Sequence, residues 1–360
     1  MVLQKILVIY PEVEFTKIAV YQNKNLLFLK MIRHKPEVLA SFSDIVEQLD
    51  MRTEAILKEL EDNDIRLNEI GIVMARGGLI KPVPSGIFKV NEEMKRDLRI
   101  GVQGVHETNL GGLIGDAIAQ KIGGGVSAYL ADPVVVDELD EVARITGHPE
   151  IQRKSVFHAL NQKFVSREYA HSVNRNYEDM NLIVVYVGTG GISVGAHKQG
   201  RVVDVNQAFD GGGPFSFTRT GGLPVGRVVD LCYSGKYTKE EMRNMVTKNG
   251  GLKAYLGTTN IAEIEERIQG GDEYAEFILY AMGYQLSKEI GAMCMVFEER
   301  PDAIIMMGAI FNSRRFSDYV TRRAQKIAPV IIYPVVNDMD ALASNGLKVM
   351  EGKAVVLEYK

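Results

Sequence analysis

Two arginines in this chain stand beside paired glycines: Arg76 in Ala-Arg-Gly-Gly and Arg219 in Thr-Arg-Thr-Gly-Gly. A guanidinium is a fixed planar fork that matches two oxygens of a carboxylate or phosphate. A third element, Gly188-Thr189-Gly190-Gly191, lies between two apolar runs. Glycines there let backbone N–H groups come close to an anion. Asp132, in Ala-Asp-Pro-Val, follows a short apolar run, a place where a carboxylate suits Mg²⁺ through water. Two histidines, His106 in Val-His-Glu-Thr-Asn-Leu and His158 in Val-Phe-His-Ala-Leu-Asn, complete the set. Each feature alone also has a plainer reading. The arginines fit exposed loops, the glycines an ordinary turn, Asp132 a turn former before proline, and the histidines capped or half-buried positions. The glycine stretch is not a Walker loop, because no Gly-Lys-Ser/Thr follows. Nor is it a dinucleotide fingerprint, because the next element is a strand and not a helix.

The elements that must position these residues alternate between strand-like and helix-like, so the class is α/β. Residues 5–10, 16–21 and 26–31 read as a three-stranded meander, and residues 182–187, 192–196 and 201–205 as another. Each is followed by helical stretches and a further strand: Ile70 to Ala75 after a helix around 43–61, and Ala303 to Met307 after a helix around 273–298. The pattern is a weak long-range internal duplication, which fits either the coincidence of two common hairpin arrays or two related lobes with a cleft between them. Residues 138–177 are mostly polar-helical and are expected to carry the crossing between them. The stretch Asp338 to Met350 reads as a helix returning to the first lobe.

A chain of 360 residues with 46% apolar composition supports two cores. A net charge of −4 excludes neither solubility nor enzyme function, but it gives no reason to expect nucleic acid or an anionic membrane as partner. The two cysteines, Cys232 and Cys294, lack metal spacing and fit a reducing cytoplasm. No secretory leader and no apolar run near 18 residues is visible, so a cytoplasmic location is expected.

Longer blocks narrow the chemistry. Residues 190–226 read GGISVGAHKQGRVVDVNQAFDGGGPFSFTRTGGLPVG. In the same chain order stand RGGLIKPVPSGIFKVNEEMKRDLR from Arg76, GVQGVHETNLGGLIGDAIA from Gly104 and AYLADPVVVDELDEVARITGHPEIQRKSVFHALNQKFV from Ala128, then GGLKAYLGTTN and MGYQLSKEIGAM. Together they resemble the butyrate kinases, a branch of the acetate kinase family, over nearly the whole chain. The resemblance implies the acetate and sugar kinase/actin superfamily fold, with two ribonuclease-H-like lobes and a nucleotide cleft between them. Residues 1–165 with 338–360 are expected to form the first lobe, and 166–337 the second, nucleotide-binding and dimerising one. It implies phosphoryl transfer between ATP, with Mg²⁺, and a short or branched-chain carboxylate, and hence an acyl phosphate. A homodimer or higher homo-oligomer is expected.

By the same resemblance Arg76 holds the carboxylate and the transferring phosphoryl, and Arg219 acts on that phosphoryl with His158. His106 stands near the substrate. Asp132 and Asp338 associate with metal. Gly188, Thr189, Gly190, Gly191, Gly308 and Lys17 hold nucleotide or phosphate, and Val105, Phe157 and Pro214 line the acyl pocket. Three places depart from the family. Its first hairpin turn, Asn-Pro-Gly-Ser-Thr-Ser-Thr-Lys, is here Tyr10-Pro11-Glu12-Val13-Glu14-Phe15-Thr16-Lys17. A family histidine before the second turn is here Tyr186, and a Thr-Gly-Gly is here Met307-Gly308-Ala309. A carboxylate about 4 Å from a phosphate oxygen costs on the order of 4 kcal/mol at intermediate dielectric. Three readings therefore stand open: a working fatty-acid kinase with an altered phosphate grip, a non-catalytic or regulatory paralogue, and a kinase for another acid or donor.

Overall fold

The computed structural model describes residues 4–188 and 190–360. Contacts divide the chain into two compact units. The first runs to Val136 and resumes at Asn337–Lys360, and the second is Asp137–Val336. The boundary expected at 165/166 falls inside the helix Ala159–Ser172, which packs on the second unit's sheet.

In the first unit, three antiparallel strands form from runs of β-branched and aromatic residues. They are β1 (Lys5–Pro11), β2 (Phe15–Gln22) and β3 (Asn25–Arg33). Two further strands, β4 (Ile70–Ala75) and β6 (Ala128–Ala131), extend the sheet parallel to β1, with β5 (Ile87–Lys89) beyond them. The second unit repeats the plan with β7 (Asn181–Gly188), β8 (Gly191–Lys198), β9 (Arg201–Val205), β10 (Ala303–Met307) and β11 (Val330–Tyr333). A final strand, β12 (Val356–Leu357), joins the first sheet beside β5. The orders are β12-β5-β6-β4-β1-β2-β3 and β11-β10-β7-β8-β9. Each sheet thus has an antiparallel meander on one side of its first strand and parallel strands next to it on the other; in the first sheet β5 then runs antiparallel to β6. The repeated meanders thus mark a repeated plan, and that plan is the ribonuclease-H-like one that the resemblance implies.

The central strands are apolar on both faces because helices cover both. Leu7, Ile9, Val73 and Ala75 join Ile56 and Leu60 of the helix Leu49–Asp62 and Leu113 and Ile118 of the helix Leu110–Ile122. The other face meets the helix Asp338–Met350, where a side chain at Gly346 would stand 2.7 Å from Met74 and 3.0 Å from Ile6. The C-terminal helix therefore returns to the first unit. In the second unit Ile183, Val185, Ile192 and Val194 pack on the helix Glu273–Cys294, and Leu182 and Val184 pack toward the helix Ala159–Ser172.

Candidate active site

In the first unit the candidate residues gather at the C-terminal ends of β4 and β6. Arg76 follows β4 directly and Asp132 follows β6 directly. The glycines around them answer a packing demand. A side chain at Gly77 would stand 2.5 Å from Pro133, and one at Gly111 would stand 2.2 Å from the Arg76 carbonyl oxygen. The chain after Arg76 is thus pressed between the Asp132-Pro133 corner and the start of the helix Leu110–Ile122. Asp132 is buried and left-handed, with φ of 38°, a conformation that is costly for a residue with a side chain. Its Oδ1 accepts from Ser85 Oγ at 2.6 Å and from the Gly86 N–H at 2.9 Å, which fixes the carboxylate. His106 precedes the same helix and its Nδ1 accepts from the Thr108 N–H at 3.2 Å. Asn109 ties this segment to the Arg76 loop by accepting from the Leu79 N–H. Val105 is 62% exposed.

The departed first turn has an unexpected support. Arg52, on the helix Leu49–Asp62, is wholly buried beneath it. Its guanidinium donates to the carbonyl oxygens of Glu12 (2.9 Å), Val13 (2.8 Å) and Phe15 (3.2 Å), and to Thr16 Oγ1 and Gln48 Oε1. Burial pulls its pKa down to about 10, while the charges of Glu107 and Glu12 act the other way. Thr16 Oγ1 also lies 2.9 Å from His34 Nε2. Above the turn, Arg76 Nη1 bonds Glu12 Oε1 at 2.7 Å, and its guanidinium lies over the Tyr10 ring at 4.3 Å. The added carboxylate is therefore not a bare charge in a phosphate site, as the sequence alone implied. It is paired with the arginine expected to hold substrate. Lys17, opposite Tyr10 in β2, has its ammonium 5.4 Å from the Phe15 ring.

In the second unit the candidates meet at the β7–β8 turn. Gly188 and Gly191 pair across it, and Thr189 lies outside the described residues. Gly191 has φ of 129°, and a side chain there would stand 2.3 Å from the Ala208 carbonyl oxygen. Gly308, which follows β10, comes equally close to the Val187 carbonyl and so lies beside the same turn. Arg219 Nε donates to the Gly190 carbonyl at 3.4 Å, another nitrogen donates to the Thr247 carbonyl, and the guanidinium lies 4.7 Å from the Phe209 ring centre. Burial lowers its pKa and Asp210 opposes the shift. Arg219 and Pro214 line a small cavity with Phe209 and Asp210. His158, at the N-terminus of the helix Ala159–Ser172, points Nε2 at the turn: a side chain on Gly190 would stand 3.3 Å from it. Phe157 beside it is buried.

Tyr186, the departure in β7, stacks on His158 with ring centres 4.2 Å apart. A side chain on Gly188 would stand 2.5 Å from the Tyr186 ring, so the glycine makes room for the tyrosine. Asp338 stands half-buried in the first turn of its helix, where the Asn337 side chain caps the Met339 N–H. Its neighbour Asp340 accepts from the Tyr21 hydroxyl at 2.5 Å. Among the described residues no three acidic, histidine or cysteine side chains form a metal cage.

Sequence reasoning named the arginines, the glycines and His158 as candidates but passed over Arg52. The available signal was its register: Arg52, Ile56 and Leu60 share one helix face, so a charge lies on an apolar stripe.

Comparison with known proteins agrees with this picture. The profile of the acetokinase family matches residues 147–339. Butyrate kinase 2 and butyrate kinase 1 of Clostridium acetobutylicum are 45% and 44% identical over 356 residues, covering 99% of both chains in each case. In fold, the chain superposes on an acetate kinase from Porphyromonas gingivalis with a TM-score of 0.80 at 17% identity, covering 96% of this chain and all of the other. A propionate kinase from Francisella tularensis follows with a TM-score of 0.74 at 16% identity, over 95% and 98% of the two chains. This chain belongs to the acetokinase family, and within it to the branch of the butyrate kinases.

Proposed function

We propose that the chain transfers the γ-phosphoryl group of ATP to the carboxylate of a short or branched-chain fatty acid, giving an acyl phosphate, and catalyses the reverse. The observation that carries this reading is the convergence of Arg219 and His158 on Gly190, which sets a guanidinium and an imidazole nitrogen at a glycine turn. A carboxylate oxygen attacks the γ-phosphorus, the bond from phosphorus to the β–γ bridging oxygen breaks, and its electron pair leaves on ADP. An ionised carboxylate needs no general base, so the protein's task is positioning and charge neutralisation.

Arg219 and the Nε2–H of His158 stabilise the equatorial oxygens of the transferring group. The glycines 188, 190, 191 and 308, with Thr189, accommodate the nucleotide phosphates. On the first unit Arg76 takes the substrate carboxylate with His106 near it, and Lys17 is a cation for phosphate. Val105, Phe157 and Pro214 supply apolar surface for the acyl chain. Mg²⁺ takes one or two carboxylates and keeps water and substrate phosphate for the rest. Asp132, fixed by Ser85 and Gly86, fits that demand, and Asp338 is a second candidate ligand. Bound there, the ion would neutralise the β- and γ-phosphate charge.

We place the reaction in the cytoplasm, in keeping with two free thiols; no described helix is long and apolar enough to cross a membrane. A homodimer is favoured by an aromatic stripe on the helix Glu273–Cys294, where Tyr274, Phe277, Tyr280 and Tyr284 are all about half exposed. Sedimentation of Phe277→Glu against the parent is expected to show a shift toward monomer.

The deciding assay is ATP- and Mg²⁺-dependent acyl hydroxamate formation with acetate, propionate, butyrate, isobutyrate and isovalerate, using Arg219→Ala as the blank. Turnover that vanishes in the variant supports the proposal. A folded protein with no turnover on any acid overturns it.

A further inference from the structure

The strand β8 alternates apolar and polar residues, yet its polar face is closed to water. Ile192, Val194 and Ala196 face the core of the second unit, while Ser193, Gly195 and His197 lie beneath the helix Ala159–Ser172. Ser193 and His197 are wholly buried, and so is Gln162 of that helix. Buried polar groups must satisfy one another, and here they do so in a file with one branch, Ser166 Oγ, which donates to the Gln162 carbonyl oxygen and lies 3.4 Å from His197 Nδ1. The Tyr177 hydroxyl lies 2.7 Å from His197 Nδ1, and His197 Nε2 lies 2.8 Å from Gln162 Oε1. Gln162 Nε2 lies 2.9 Å from Ser193 Oγ and 3.2 Å from the Ser193 carbonyl oxygen. Ser193 Oγ then lies 2.9 Å from His158 Nδ1.

The direction of this file is set by the Ser193 carbonyl. A carbonyl oxygen only accepts, so the Gln162 atom facing it is the amide NH₂, and the Gln162 oxygen faces His197. His197 must therefore donate from Nε2, which leaves Nδ1 to accept from Tyr177. Burial, with Lys163 and Arg167 nearby, keeps this imidazole neutral well below its usual range. At the other end Ser193 Oγ already accepts from Gln162, and its own proton is directed to His158 Nδ1. An imidazole whose Nδ1 accepts carries its proton on Nε2, the nitrogen that points at the Gly190 turn.

We propose that Tyr177, His197, Gln162 and Ser193 are positioning residues that lock His158 in the Nε2–H tautomer, so that it offers a donor to phosphate while remaining neutral. The inference rests on the reading that His158 meets the transferring phosphoryl. The opposite tautomer would turn a lone pair toward anionic oxygens and repel them. Tyr186, stacked on the ring, holds its plane while the file holds its proton.

The test is long-range ¹H–¹⁵N correlation on protein labelled at its six histidines, with His158→Ala to assign the signal, joined to steady-state kinetics. His158 is expected to show a protonated Nε2 and a bare Nδ1 near neutral pH. Ser193→Ala is expected to give a mixed tautomer and a kcat lower by about 10- to 100-fold, the range found for groups that orient metal-bound imidazoles, with KM for the acid little changed. Ser193→Thr, which keeps the hydroxyl, is expected to recover both. A protonated Nδ1 in the parent overturns the proposal. So does a Ser193→Ala protein with unchanged tautomer and kcat beside an inactive His158→Ala. Full activity in His158→Ala would instead remove the catalytic reading of His158, whatever its tautomer.

Discussion

The Glu12–Arg76 ion pair makes this chain a test of self-competition. Glu12 offers Arg76 a carboxylate, the same group that the substrate would bring. The contact is 2.7 Å, and the two side chains are 19% (Arg76) and 30% (Glu12) exposed. At an effective dielectric of about 20 the bare attraction is about 6 kcal/mol. Lost hydration and side-chain entropy take back most of this, leaving about 1 kcal/mol for a pair this close to water. That corresponds to roughly fivefold occupancy of the closed pair over the open one, so Arg76 is available to substrate about one-sixth of the time. An apparent affinity falls by the fraction of competent protein.

Glu12→Gln keeps the shape and leaves the turn on Arg52, whose bonds go to backbone carbonyls. It is expected to lower KM for the carboxylic acid, and for acyl phosphate in reverse, by about fivefold, with kcat changed less than twofold. The gain should shrink as salt rises, because salt screens the pair in the parent. Hydroxamate formation at low and high ionic strength measures all of this. A raised KM, or a tenfold loss of kcat, would refute the reasoning and would make Glu12 part of the phosphate or metal grip.

Other outcomes follow from the same region. His34 is buried beside Thr16, and burial followed by the Arg52 charge lowers its pKa to about 4. The unfolded chain takes up this proton near 6.5 and the folded one does not until about 4, so stability should fall as pH falls through that window, by up to about 3 kcal/mol; denaturant titrations of His34→Asn should show a shallower fall. Arg52→Met leaves three turn carbonyls without their donor and should destabilise by about 3 kcal/mol, read as a lower unfolding midpoint. Gly111→Ala drives a methyl into the Arg76 carbonyl and should cost about 1–3 kcal/mol, with kcat falling further than stability alone would explain; unchanged kcat would mean that the placement of Arg76 is not set there.

The meanders were legible because strand alternation is local, and the C-terminal helix because its period is local too, whereas its return to the first unit came from the resemblance. The glycine positions were legible as anomalies, but their reasons were not. Gly77 and Gly111 are small because two distant segments press on the Arg76 loop, and Gly188 because a tyrosine two residues earlier lies over it. The acid in the first turn was misweighed for a related cause. A sequence shows that Glu12 has replaced glycine, but not that Arg76, 64 residues on, has closed on it.

The departures from the family are better understood together than singly. The first turn and Tyr186 put new groups where a bare turn and a histidine are the rule, and these groups have partners in place. Glu12 finds Arg76, the remodelled turn finds Arg52, and Tyr186 finds both the gap at Gly188 and the face of His158. A turn without function has no need of a wholly buried guanidinium beneath it, since a buried cation bonded only to neutral oxygens, with the charges of Glu107 and Glu12 as its ionic support, is expensive. Replacing that guanidinium with an apolar side chain would be the cheaper solution if the turn had only to exist. Its presence argues that the turn is held in one conformation for use. The Glu12→Gln kinetics decide this, because a disarmed loop would leave turnover absent in parent and variant alike.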